Sequence, residues 1–143
     1  MISEISKKIK ISSVIDNLSP EGLPEGDPER TESISDGKYF FSDKGIKIVY
    51  EEKQNGEVIT HKILSSMETV RVCASGAVSS DMIFSVDKPH KSLYSVGPYS
   101  FDMEVTAKKI RFDFCDEGGT LDLLYDMNVG GQNKRTRMKI TVI

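Results

Sequence analysis

The side chains with the clearest chemical potential lie in the middle of the chain, around Ser80. In the stretch SGAVSSDMIF, positions 78, 82 and 84 are apolar, so a strand there would place the Ser80 hydroxyl in a row of core side chains. His90 follows on the next predicted strand and could act as a base for a serine nucleophile. No G-x-S-x-G motif is present, so we expect Ser80 and His90 to form a satisfied polar pair.

The sequence offers few ligands for a metal or a cofactor. Its two histidines, His61 and His90, are distant from each other, and its two cysteines, Cys73 and Cys115, lack metal-ligand spacing. We expect both cysteines to be reduced thiols. Phosphate-binding loops and dinucleotide-binding fingerprints are absent. The sequence therefore predicts no metal and no cofactor, and it leaves an enzyme unsupported without excluding one.

Size and charge indicate the general class of protein. A chain of 143 residues, 38% hydrophobic and 29% charged, suits one domain over residues 1–143. A net charge of -3 provides no field that would attract nucleic acid. No segment has the roughly 20 apolar residues of a membrane span, and no signal-peptide pattern is visible. We predict a cytoplasmic monomer or homodimer that binds neither nucleic acid nor membranes.

Apolar and polar residues alternate along most of the chain after residue 7, which is typical of strands with one buried face. Turn sequences such as SDKG at 42–45, NG at 55–56 and GG at 130–131 separate these segments. The pattern predicts an all-β fold of about 8 to 10 antiparallel strands. We favour a barrel over a sandwich, because closure removes exposed edges. Residues 17–28, rich in proline and glycine, are predicted to form a long loop, a lid at the barrel mouth.

The GG turn fixes the pairing of the last two strands. With two residues in the turn, Val129 faces Gln132, and Asp126 therefore faces Arg135. Asp122 then faces Lys139, while apolar residues meet on the other face. The basic run KRTRMK thereby acquires carboxylate neighbours, which favours a solvated sheet face over a polyanion-binding site.

The same procedure upstream predicts a polar group inside the barrel. The turns GP, DKP and SG give these cross-strand pairs: Tyr94 with Phe101, Ser92 with Met103, His90 with Val105, Phe84 with Ser92, Met82 with Tyr94, Cys73 with Val78, Arg71 with Ser80, and Thr69 with Met82. The predicted ligand-binding lumen contains Arg71, Ser80, Met82, His90, Ser92, Tyr94, Phe101 and Met103.

The orientation of Arg71 depends on the SG turn. A slip of one residue would turn Arg71 and Cys73 outward and bring Val70 and Val72 inside. An inward arginine would need a carboxylate, a ring of acceptors, water or an anionic ligand, because an unpaired buried charge costs several kcal/mol. Both orientations remain open. We adopt the inward one, because the other hairpins independently place Ser80 inside.

The chain resembles the uncharacterised bacterial YwiB-like family of calycin-like β-barrels, which carry a domain of unknown function. The resemblance covers the chain from about Lys7 and is strongest from Arg71 to Tyr125. It implies a barrel similar to lipocalins and fatty-acid-binding proteins, and it implies no activity. The residues that carry it are Arg71, Ser75, Gly76, Val78, Ser79, Ser80, Met82, His90, Ser92, Leu93, Tyr94, Pro98, Tyr99, Thr106 and Lys108.

Two functions fit this barrel. The first is binding of one small anionic or amphipathic molecule in the lumen, with Arg71 holding a carboxylate or phosphate. Ser80, His90 and Tyr94 would complete the shell around it. The second is a non-enzymatic interaction or structural protein whose core is filled and whose polar interior specifies packing.

Overall fold

Ten antiparallel strands joined by short turns close into one barrel, which confirms the predicted all-β fold. The computed structural model describes residues 4–143. Its strands are β1 (Glu4–Leu18), β2 (Pro24–Ser42), β3 (Gly45–Gln54), β4 (Glu57–Ser65), β5 (Thr69–Gly76), β6 (Val78–Ser85), β7 (Pro89–Val96), β8 (Tyr99–Cys115), β9 (Gly118–Val129) and β10 (Gln132–Val142). Each strand pairs with its neighbours in the chain, and β1 pairs with β10 to close the barrel. None of the residues 4–143 belongs to a helix capable of spanning a membrane.

One end of the barrel, which we call the lower end, is filled with side chains. The turns that follow β2, β4, β6 and β8 lie at this end. A β-bulge between Ala107 and Lys109 interrupts the pairing of β8 with β9 and bends the strand. Beyond the bulge, the ring of Phe114 lies 6.0 Å from the ring of Tyr39 on β2. The Tyr39 hydroxyl donates a 2.6 Å hydrogen bond to the carbonyl oxygen of Cys115. These contacts close the lower end.

The two hairpins with two-residue glycine turns have the predicted registers. Val129 faces Gln132 in the β9–β10 hairpin, and the carboxylate of Asp126 accepts hydrogen bonds of 2.7 and 3.1 Å from Arg135. In the β7–β8 hairpin, Tyr94 faces Phe101. The remaining predicted pairs of these two hairpins are also confirmed, because short turns leave little freedom of register.

The predicted pairing of β5 with β6 is wrong, and the error reverses the face of Arg71. Cys73 faces Asp81 and Arg71 faces Ile83, so Arg71 and Cys73 point outward while Val70 is fully buried. Gly76 has a φ of +107°, and a Cβ there would lie 2.3 Å from the carbonyl oxygen of Val58. Ser75 and Gly76 stay paired with β4, whereas Val78 and Ser79 pair with β7. The connection is therefore a splayed corner, and the pairs Arg71 with Ser80, Cys73 with Val78 and Thr69 with Met82 do not form.

The predicted pairs of Phe84 with Ser92 and Met82 with Tyr94 are also wrong. β6 and β7 pair only through Val78 with Val96 and Ser79 with Ser95. The end of β6 instead turns to β8, where the amide of Asp87 donates a 2.8 Å hydrogen bond to the carbonyl oxygen of Ala107. The discrepancy is two residues, an even number, so the even-numbered residues of β6 and β7 still face inward.

Residues 17–28 do not form the predicted long loop. β1 continues to Leu18, a turn covers Ser19 to Leu23, and β2 begins at Pro24. The upper part of β2 pairs with β1 only, since β3 pairs with β2 only from Gly37 to Ser42. Proline is tolerated on such an edge, where no partner strand requires its missing amide hydrogen.

Candidate ligand-binding cavity

The upper half of the barrel interior contains a cavity of about 360 Å³. Side chains from seven strands face it: Ile11, Tyr50, Glu52, Gln54, Ile59, His61, Ile63, Val72, Ala74, Val78, Ser80, Met82, Tyr94 and Met138. All of them lie on the inward face by the alternation of their strands. The protein therefore combines a packed lower half with an open upper half.

The cavity has an apolar floor and a polar rim. Ile63 is 1% exposed, and Val72, Met82 and Met138 pack against the buried core beside it. The polar side chains among the lining residues are Tyr50, Glu52, Gln54, His61, Ser80 and Tyr94. Within residues 4–143, no lysine or arginine lines the cavity. The rim therefore offers one carboxylate together with hydroxyl, amide and imidazole groups that can form hydrogen bonds.

Tyr50, Glu52 and His61 form a compact group on the rim. The rings of Tyr50 and His61 are stacked, with centroids 4.6 Å apart and planes 14° from parallel. Nε2 of His61 lies 3.4 Å from Oε1 of Glu52. Burial raises the pKa of Tyr50, and the charge of Glu52 raises it further. The Tyr50 hydroxyl therefore keeps its proton at neutral pH and can donate a hydrogen bond at the rim.

An apolar lip lies across the mouth from this group, since β8 is five strands from β3 around the barrel. The inner face of the β7–β8 hairpin carries Val96, Tyr99 and Phe101 above the core residue Met103. Their exposed fractions are 38%, 67% and 44%. Exposed large apolar side chains that cluster at a cavity mouth are typical of binding surfaces.

Only some of the residues predicted to line a lumen lie at the cavity. Ser80, Met82 and Tyr94 line the cavity, and Phe101 lies on the lip. The other inward residues, His90, Ser92 and Met103, lie outside the cavity. Nε2 of His90 lies 3.2 Å from Oγ of Ser85, so the predicted pair of Ser80 and His90 is wrong. Ser80 lies at the β7 end that carries Val96, whereas His90 lies near the opposite end of β7 beside Ser85.

Arg71 is on the outer wall and cannot anchor a ligand in the barrel. Its Nε and Nη2 donate hydrogen bonds of 2.9 and 2.6 Å to the two carboxylate oxygens of Asp81. This contact holds the pKa of Asp81 below its usual range. Burial raises the pKa of the adjacent Cys73 thiol, whose Sγ lies 3.4 Å from the same carboxylate. Within residues 4–143, no three His, Cys, Asp or Glu side chains converge as metal ligands.

Sequence reasoning missed Tyr50, Glu52, Gln54 and His61, although a signal for them was present. Asn55 and Gly56 form a two-residue turn in which Asn55 has a φ of 54°. Such a turn places Gln54 opposite Glu57 and therefore Tyr50 opposite His61. Pairing this hairpin by the same rule as the other two would have placed these four side chains on one face of the sheet.

The fold and the cavity together define a closed β-barrel protein with an interior that opens at one end. Residues 9–141 match the family described as "Domain of unknown function (DUF1934)", and the chain belongs to this family.

A curated relative, the "Uncharacterized beta-barrel protein YwiB" of Bacillus subtilis (strain 168), is 27% identical over 135 residues. The match covers 94% of this chain and 89% of the relative. The crystal structure of ywiB protein from Bacillus subtilis has a TM-score of 0.81 at 21% identity, over 98% of this chain and 93% of that one. The resemblance to a YwiB-like family and the barrel fold are confirmed.

Proposed function

We propose that the protein binds a small amphipathic molecule in the upper cavity. The observation that carries this proposal is the cavity itself, about 360 Å³ between an apolar floor and a polar rim. Ligand pockets for small molecules have volumes of roughly 300 to 1,000 Å³ and combine apolar walls with a few polar groups. Barrels of about eight strands commonly either fill with side chains or hold one small ligand.

The rim favours a cationic or neutral head group over an anionic one. Among the cavity-lining residues of the described chain, Glu52 is the one carboxylate, and none is a lysine or arginine. An ammonium group near Glu52 would also lie close to the Tyr50 ring, where a cation–π contact adds to the ion pair. A carboxylate or phosphate would meet Glu52 without a compensating lysine or arginine, so we no longer favour an anionic ligand.

The apolar part of the ligand would rest on the floor and the lip. Met82 and Met138 have flexible thioether side chains that adapt to ligands of different shape. Tyr99 and Phe101 would cover the portion that remains above the rim.

Calorimetric titration with decylamine and with decanoate tests the proposal, because these molecules share a chain length and differ in head-group charge. We expect decylamine to bind and decanoate to bind at least tenfold more weakly. Glu52→Gln should remove most of this difference, since it removes the carboxylate and keeps the size of the side chain.

Ala74→Trp fills the cavity from β5 and should abolish decylamine binding. Ser79→Trp places the same ring on the outer face of the neighbouring strand and is the matched control, which should bind as the wild type does. Binding that survives Ala74→Trp in a variant with a cooperative thermal transition would contradict the proposal. Absence of binding by both probes would favour the interaction or structural barrel.

A further inference from the structure

The outer wall of the barrel carries a basic groove that is separate from the cavity. It runs over β9, has a volume of about 500 Å³, and lies on the opposite face of the sheet from the lumen. Lys109 and Arg111 of β8 flank it on one side, and Arg137 and Lys139 of β10 flank it on the other. Between them, β9 contributes the apolar Leu124 and one carboxylate, Asp122. Val14 of β1 and the aliphatic stems of the cations add apolar surface.

The four cations of the basic groove form no ion pair within the described part of the chain, although Arg111 and Lys139 both face Asp122 across neighbouring strands. Arg135 pairs with Asp126, but no such ion pair forms at Arg137, Lys139, Lys109 or Arg111. Arg137 and Lys109 both face the apolar Leu124 on β9, and a single carboxylate, Asp122, lies opposite both Lys139 and Arg111. The predicted pairing of the run KRTRMK with Asp126 and Asp122 therefore holds in register, but the groove keeps four cations against the one carboxylate of Asp122.

An acidic segment of complementary chemistry occurs elsewhere on the same chain. Residues 19–29, which we call the acidic arm, contain four carboxylates and no lysine or arginine. At its tip, Leu23 is 65% exposed and stands between Glu21 and Glu25. The tip is ordered by a 2.7 Å hydrogen bond from the amide of Ser19 to the carbonyl oxygen of Leu23, and Ser19 Oγ accepts a bond from the amide of Leu23.

We propose that the basic groove receives the acidic arm of a second copy of this chain. Leu23 would enter between the aliphatic stems, and Glu21 and Glu25 would pair with the cations on the two sides. The arm cannot reach the groove of its own chain, because Pro20 and Glu25 lie beside Gly131 and Gln132 at the upper end.

Groove and arm lie on the same wall, formed by β2, β1, β10, β9 and β8. A two-fold axis through this wall would place each arm over the groove of the other copy. Two equivalent contacts would then form a closed dimer, the commonest arrangement for a soluble homo-oligomer. Because exposed charges contribute most of the attraction, the dimer should weaken as salt screens them.

Sedimentation equilibrium of the full chain, at low ionic strength and in molar salt, tests this proposal. We expect a dimer at low ionic strength that dissociates in molar salt. Arg111→Glu with Arg137→Glu should raise the dissociation constant by at least tenfold, and so should Glu21→Lys with Glu25→Lys. Lys53→Glu with Lys62→Glu changes the charge equally on the opposite wall and should leave the dimer intact.

Mixing the two charge-reversed double variants distinguishes a lost contact from a folding defect, because only folded variants can restore the contact to each other. Each groove would then meet an arm of opposite charge, so the mixture should form a heterodimer although each variant alone is monomeric. A wild type that is monomeric at every concentration would overturn the proposal. So would a dimer that survives both reversals, or a mixture that fails to associate.

Discussion

Removal of the Tyr39 hydroxyl tests how the lower end of the barrel is closed. Tyr39 is fully buried, and its 2.6 Å hydrogen bond to the carbonyl oxygen of Cys115 links β2 to β8. Tyr39→Phe keeps the ring and its packing against Phe114 and removes only the donor. Loss of a buried hydrogen bond should lower the free energy of unfolding by about 1 to 2 kcal/mol at neutral pH. For a domain of this size, that corresponds to a fall in Tm of roughly 4 °C per kcal/mol.

The deficit should shrink at alkaline pH. Burial, aided by Cys115 and Asp116, raises the pKa of Tyr39 from 10.0 to about 12. The unfolded tyrosine loses its proton near pH 10, whereas the folded one keeps it to about pH 12. The wild type therefore loses stability as the pH rises between these values. A shift of this size corresponds to roughly 2 to 3 kcal/mol, and the phenylalanine variant does not suffer this loss.

Urea unfolding followed by circular dichroism, from neutral pH to about pH 12, measures both effects. We expect the variant to be less stable at neutral pH and to match or exceed the wild type near pH 12. Tyr99→Phe, at the exposed lip, is the matched control and should change the free energy of unfolding at neutral pH by less than about 0.5 kcal/mol. A deficit for Tyr39→Phe that stays constant across the whole pH range, or no deficit at neutral pH, would refute the reasoning.

Three further substitutions test the corrected register and the filled lower half. Arg71→Leu should leave Tm nearly unchanged in thermal melts, because its contact with Asp81 is exposed and such ion pairs contribute little; a collapse of the fold would place the arginine inside after all. Gly76→Ala should destabilise the protein by about 1 to 3 kcal/mol in urea titrations, because the added Cβ meets the carbonyl oxygen of Val58; an unchanged midpoint would argue against the splayed corner. Phe84→Ala should cost about 3 to 5 kcal/mol in the same assay, and a cost below 1 kcal/mol would indicate a loosely packed interior.

Sequence patterns were sufficient for the fold because alternation and glycine turns report directly on strand geometry. The turns Gly97–Pro98 and Gly130–Gly131 have two residues each, and they determined the register of their hairpins correctly. The corner at Gly76 has no such local rule. Its geometry depends on the backbone of β4, which Gly76 approaches too closely for any side chain. The close contact between Gly76 and β4 therefore determines that Arg71 lies on the outer face of the barrel.

The candidate site was only partly predictable for a related reason. Ser80, Met82 and Tyr94 were placed correctly, because an even error in register preserves the inward face. The boundary between the filled and the open half could not be read from alternation, since inward residues look alike at both ends. It depends on where β8 bends and closes the lower end.

The central claim is that the floor of the upper cavity is accessible to an amphipathic ligand. Methyl NMR of methionine-labelled protein tests it directly, because Met82 and Met138 line the cavity and Met67 is 76% exposed far from it. On addition of decylamine, the account predicts shifts of the Met82 and Met138 methyl signals that saturate together, with Met67 unchanged. Unchanged signals from Met82 and Met138, or equal shifts at Met67, would contradict it.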